Sequence, residues 1–304
     1  MNWASAGPAV DALPTASTTA AGSEVVAVAV ALVAAAVAYQ MGWQATAASR
    51  PTRATPPWRR RLFLTGLAVL AVALLPPLAT YAHDRLSGHM VQHLLLTLVA
   101  APLLVAGRPL LVATAALSDD RRRRLLRLGR APALALLAHP LVAWLVFAAV
   151  GWIVHFSPLF DLALENPVAH AAEHALFLGS ALLFWRPVLG TAVHGRLSHP
   201  LRLLYLAVAM PQNTFLALAI SSSTRPLYDH YVDVARASGF SALDDQRLAG
   251  GIMWVGGDLT LLVAVLAVAG AWAIHEDRVT RRRELLEDLS GEAAGRPPSP
   301  RTAG

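Results

Sequence analysis

Seven stretches of this 304-residue chain are apolar for about twenty residues each, the length needed to cross a bilayer as a helix. They are Val25–Trp43, Leu62–Thr80, Met90–Val112, Ala133–Phe156, Val168–Leu189, Leu201–Ser221 and Gly250–Ile274. Hydrocarbon offers the backbone no hydrogen-bonding partner, so such a run spans it as a helix that satisfies its own amides. The expected fold class is therefore all-α: a polytopic membrane bundle of about seven transmembrane helices. Composition agrees. Only 14% of the residues are charged, too few to coat a water-soluble body of this size. Prolines at Pro76–Pro77, Pro102, Pro140 and Pro211 are expected to mark kinks.

Arginine alternates between the connections. Arg50, Arg53, Arg59, Arg60 and Arg61 follow the first run; Arg121 to Arg124, Arg127 and Arg130 follow the third; Arg186, Arg196 and Arg202 follow the fifth. The connections between are balanced or acidic, as with Asp161 and Glu165. The positive-inside rule then places the N-terminus outside and the C-terminus inside. This divides the chain into an outer segment 1–24, a seven-helix membrane domain 25–275 and a cytoplasmic tail 276–304, partly disordered after a short helical extension. The first run lacks a basic leader before it and reads as a retained helix. A net charge of +6 carried this way reports topology, so the expected partner is the lipid bilayer and not nucleic acid.

Two residue types are missing. No cysteine means no disulfide, iron–sulfur cluster, thiolate metal site or covalent c-type haem. All 25 basic residues are arginine, which removes a phosphate-loop lysine and every lysine Schiff base. Metal or proton chemistry falls to the eleven histidines.

Their positions are not random. His89 and His93 are one helical turn apart at the outer start of the third run, and His170 and His174 repeat that spacing in the fifth. His83 and His155 fall near the same face, with His230 in the last outer loop. Two pairs at one depth on different helices are the pattern of a metal site inside a bundle, and one ion can join both pairs if the rings lie within about 5–6 Å. The candidate ligands are His89, His93, His170 and His174, with His83, His155, Met90, Met253 and Asp258 as accessory residues. Imidazole suits copper and zinc alike, and thioether at Met90 or Met253 would favour Cu(I).

His170-Ala-Ala-Glu-His174 also matches an inverted zinc-protease string, but at the start of a membrane helix that chemistry is set aside. Asp258, an acid inside the seventh run, could orient a histidine, relay protons, or pair with Arg85 or Arg247. Gln212 and Asn213 beside Pro211 could bond freed backbone or line a cavity. Segment 222–249 reads as an interfacial helix with tyrosines at the headgroups, serving as a lid or a docking surface. His139, His194, His199 and His275 look scattered, unpaired and structural.

Several strings resemble the CtaG family of caa3-type cytochrome c oxidase assembly factors. They are His89-Met-Val-Gln-His93-Leu-Leu-Leu, Ala101-Pro-Leu-Leu, Gly107-Arg-Pro109, Asn166-Pro-Val-Ala-His170 through Glu173-His174 to Phe184-Trp185-Arg-Pro187, and Asp245-Gln246 to Ala249-Gly-Gly-Ile-Met253-Trp254. Together they span roughly Leu62–Ile274. The resemblance implies a multi-pass protein of the bacterial plasma membrane that helps copper reach the oxidase catalytic subunit, and not an enzyme. The alternatives are a membrane haem protein for electron transfer, or a small-molecule or ion transporter.

Overall fold

Proline sets five of the helix starts. It stands at the first position of α2 (Pro57–Leu74), α6 (Pro109–Ala116), α8 (Pro132–Leu137), α9 (Pro140–His155) and α11 (Pro167–Leu189), where a missing N–H goes unneeded. The structure, a computed structural model, describes residues 16–49, 56–129, 131–189 and 197–293. Arg50, Arg53, Arg130, His194 and Arg196 lie outside the described residues, as do residues 1–15 and 294–304. Among the described residues every regular element is helical. The others are α1 (Ala16–Ser49), α3 (Leu78–Asp84), α4 (Leu86–Leu94), a π-helical segment (Leu95–Ala100), α5 (Ala101–Ala106), α7 (Asp119–Leu128), α10 (Leu159–Glu165), α12 (His199–Ser221), α13 (Asp229–Ser238) and α14 (Ala242–Ala293).

Five helical stretches are long and apolar enough to cross a membrane: Glu24–Ala48, Leu86–Thr114, Pro167–Leu189, His199–Ser221 and Ala242–Glu287. Two bent pairs, α2 with α3 (42°) and α9 with α10 (69°), bring the total to seven if each is one span. Exposed Val30 and Leu266, both 62% accessible, are typical of the apolar side chains left facing outward, as lipid requires. Pro76–Pro77 mark a bend as expected, whereas Pro140 opens a helix and Pro211 sits within the unbroken α12. Two helix starts differ from the hydropathy reading. The third span begins at Leu86, not Met90, and α14 begins at Ala242, well before Gly250. There the hydroxyl of Ser241 accepts from the amide of Asp244, and Asp244 and Asp245 favour the helix N-terminus. This polar first turn is invisible to an apolar-run search. The tail's helical extension is also longer than expected, reaching Ala293.

Pro102 shapes the third span. With no N–H it cannot continue the ladder, and the residues before it widen into the π-helical segment, where Ala101 donates to Leu96. At that spacing Pro102 would face the carbonyl of Thr97. The indole Nε1 of buried Trp185, on α11, supplies the absent donor at 2.8 Å. One turn earlier the Thr97 hydroxyl donates to the carbonyl of His93. A proline in one span is thus answered by a tryptophan in another, and the two helices are locked at the depth of His93.

On the opposite side α12 and α14 pack closely. A Cβ on Gly250 would stand 2.6 Å from that of Ser221, and one on Gly257 would stand 2.5 Å from Asn213 Nδ2. Nearer the histidine end, Ser87 donates both its amide (3.3 Å) and hydroxyl (2.6 Å) to Asp245, and Gln246 holds Ile220 and Leu227. These bonds fasten α4, α12 and the 222–228 connection to α14. Trp185→Phe leaves the Thr97 carbonyl buried without a donor, a loss of about 1–3 kcal/mol. It is expected to lower the midpoint of thermal unfolding in detergent while preserving helical circular dichroism.

Candidate metal centre

Local helix chemistry puts the ligands in place. The side chain of Asn166 accepts from the amides of Val168 (2.9 Å) and Ala169 (3.1 Å), which with Pro167 fixes where α11 starts. Glu173 and His174 then face α4, whose His89 and His93 lie on one side a turn apart. One ligand atom from each of His89, His93, Glu173 and His174 lies within 4.8 Å of all the others.

The distances suit an ion. His89 Nε2 and His93 Nε2 are 2.9 Å apart, and Glu173 Oε1 is 3.7 Å from the first and 3.6 Å from the second. Three atoms so separated lie on a circle of radius about 2.0 Å, which is the bond length of zinc to imidazole nitrogen or carboxylate oxygen. His174, with an unpartnered Nε2, stands beside this triangle, its ring centroid 6.2 Å from those of both His89 and His93. Glu173 is 4% exposed, and neither of its oxygens receives a hydrogen bond. A carboxylate cannot rest so deeply without a compensating cation or proton. The group can hold a metal ion.

Outer partners fix the tautomers. Tyr231, on α13, donates its single hydroxyl proton to the carbonyl of Ala82 at 2.8 Å. Its oxygen must then accept from His89 Nδ1, 3.2 Å away, which leaves Nε2 of His89 as a bare lone pair facing the carboxylate. Burial, reinforced by the charge of Glu173, holds the Tyr231 phenol well above its ordinary range, so that proton stays on. Ligating histidines characteristically donate their second nitrogen in this way. Tyr228, likewise raised by burial, donates to the carbonyl of His155 at 3.3 Å and packs on Phe160. Both tyrosines are buried over the cluster, so α13 and the residue that precedes it cover the site.

The remaining candidates are distributed around this group. His170 stands at its rim, 4.2 Å from the His174 ring and 5.9 Å from that of His89, with Nδ1 3.7 Å from Glu24 Oε1. His83 pairs with His230, whose ring is 4.7 Å away and whose Nε2 bonds the His83 carbonyl. His155, its ring 5.7 Å from that of His93, lies deeper. Met90, Met253, Gln212 and Asn213 line a cavity below the cluster with His93 and His155. Asp258 orients no histidine among the described residues and meets neither arginine. It accepts from Asn213 Nδ2 (3.1 Å) and Thr214 Oγ1 (2.6 Å), since the α12–α14 contact places those donors beside it. Arg85 instead lies over the ring of Phe240, and Arg247 pairs with Asp244. His199 and His275 are not scattered, for their rings are 5.2 Å apart.

Glu173 and Tyr231 escaped the sequence reading. Glu173 was visible inside His170-x-x-Glu-His174, where the histidine spacing drew the attention. Tyr231 is 142 residues from His89, and no local spacing relates them.

Residues 37–274 match the family model described as cytochrome c oxidase caa3 assembly factor (Caa3_CtaG). The chain belongs to this family. Three mycobacterial relatives are similar to it. They are the uncharacterized proteins ML1998 of Mycobacterium leprae (28% identical over 77% of this chain), Mb0105 of Mycobacterium bovis and MT0111 of Mycobacterium tuberculosis (each 30% over 83%). The chain spans only 37–39% of the length of these relatives. No solved structure matches it. The family's shared segment thus contains the whole His–Glu group and the helix that covers it.

If Tyr231 orients His89, Tyr231→Phe should weaken Zn²⁺ binding about 10–100-fold, the usual effect of removing such a partner. Competition against a fluorescent zinc chelator reads this, with the unfolding midpoint as a control for the fold.

Proposed function

We propose that this chain is a non-catalytic assembly factor that binds copper at His89, His93, Glu173 and His174 and passes it to the catalytic subunit of a haem–copper cytochrome c oxidase. Family membership supports the process, and the donor set supports the cargo. The observation that carries the reading is the buried Glu173 carboxylate, unbonded and equidistant within 0.1 Å from two imidazole nitrogens. Three imidazoles and one carboxylate form a nitrogen–oxygen set that divalent copper occupies more strongly than zinc. His170 and Glu24, at the rim, stand where an ion would enter or leave.

The membrane is the bacterial plasma membrane, consistent with the bacterial relatives, and the N-terminus lies outside. The histidine end of the bundle then faces outward, and the arginines of α7 face the cytoplasm. The domain limits at residues 25 and 275 follow from the same topology. A haem reading receives less support, because Phe177 packs on the His93 ring and Phe160 on that of His89, which leaves little room for a macrocycle beside them.

The test is complementation in a bacterium deleted for its own copy. Wild-type protein should purify with copper and restore copper to the oxidase. His89→Ala and Glu173→Gln should each lose at least about tenfold in metal affinity and leave the oxidase copper-deficient. A wild-type protein without copper, or normal oxidase in both variants, would overturn the proposal.

A further inference from the structure

Beneath the His–Glu group lies a cavity of about 50 Å³ in the apolar interior, with Met90, His93, His155, Gln212, Asn213 and Met253 in its wall. We infer that this cavity is a second metal position, selective for a soft monovalent cation, Cu(I), held by His155, Met90 and Met253. It deepens the copper reading above and rests on it only for the identity of the metal.

His155 is the first reason. It is 3% exposed, and its Nδ1 donates to the carbonyl of Gly151 at 2.7 Å. That bond fixes the tautomer and leaves Nε2 a bare lone pair, buried with no partner. A buried imidazole nitrogen without a partner bears a desolvation cost that a bound cation would offset.

The second reason is thioether. Met90 is 1% and Met253 8% exposed, so two of the five methionines in the chain border one small cavity with this imidazole. One imidazole and two thioethers are a neutral, soft set that suits Cu(I) and is poor for divalent zinc. The upper group, with a carboxylate and three imidazoles, has the opposite preference. His93 belongs to both walls, so the two positions adjoin without sharing a ligand.

Charge balance supplies the third. Neutral ligands leave a Cu(I) ion with its full charge in a medium of low dielectric, where an anion is needed nearby. Asn213, in the cavity wall, donates to the carboxylate of Asp258 and to the carbonyl of Met253. Asp258 Oδ1 accepts from Asn213 and Oδ2 from Thr214, so the carboxyl group is held beside the cavity wall. This gives Asp258 a role that no pairing with a histidine or arginine provides.

The experiment titrates the full chain in detergent, under strictly anaerobic conditions, with Cu(I) against a chromophoric Cu(I) chelator. Zinc-saturated wild type should take up one Cu(I) without releasing zinc. Met90→Leu/Met253→Leu, which conserves core volume, should take up none while binding zinc as before. The single leucine variants should each lose at least tenfold in Cu(I) affinity, which guards against a double variant that fails to fold. If the upper group binds no zinc, wild type should still take up one Cu(I) and the double variant none, so the two readings fail separately. Equal Cu(I) uptake by wild type and by the folded double variant would overturn the inference.

Discussion

A carboxylate without hydrogen bonds in the interior of a membrane bundle governs this structure. Glu173 sits among three imidazoles on two helices with neither oxygen hydrogen-bonded, so its burial calls for a cation or a proton in the same space. Much of the surrounding architecture serves to keep that geometry. The Asn166 cap and Pro167 set the rotation of α11, the Trp185–Thr97 bond sets its depth against α4, and Asp245 holds the first turn of α4 through Ser87. None of these residues touches the proposed ion. Each determines where a ligand stands.

Closure of the site comes from outside the long apolar helices. The connection between α12 and α14 folds back as α13 and places Tyr228 and Tyr231 over the cluster, with Gln246 pinning its base. A covering helix of this kind excludes water from the carboxylate and orients His89 at the same time. It also lies near the rim, where His170, Glu24, His83 and His230 form a polar border.

The bundle was legible because bilayer thickness imposes a length that apolar runs display directly. The two histidine pairs were legible because a helical turn is local. What the sequence could not display was depth. His170 and His174 share a face, yet the His–Glu group gathers at the level of Glu173 and His174, leaving His170 a turn nearer the start of α11 beside Glu24 of α1. Contacts across 142 residues, such as Tyr231 with His89, have no local period at all. The polar first turns of α4 and α14 were missed for a related reason: helices begin where caps allow, while hydropathy registers only where they become apolar. Asp258 is visible in the sequence as an acid within an apolar run, but its partners, Asn213 and Thr214, follow from the α12–α14 packing.

The central claim, that Glu173 and the histidines of α4 and α11 jointly ligate one ion, is tested most directly by X-ray absorption on the divalent-metal-loaded protein, wild type against Glu173→Gln. The account predicts a first shell of nitrogen and oxygen at about 2.0 Å with outer-shell scattering from three imidazoles. Its oxygen contribution should change in the variant while the imidazole signal persists. A spectrum dominated by water ligands, with no imidazole scattering and no difference between the two proteins, would contradict it.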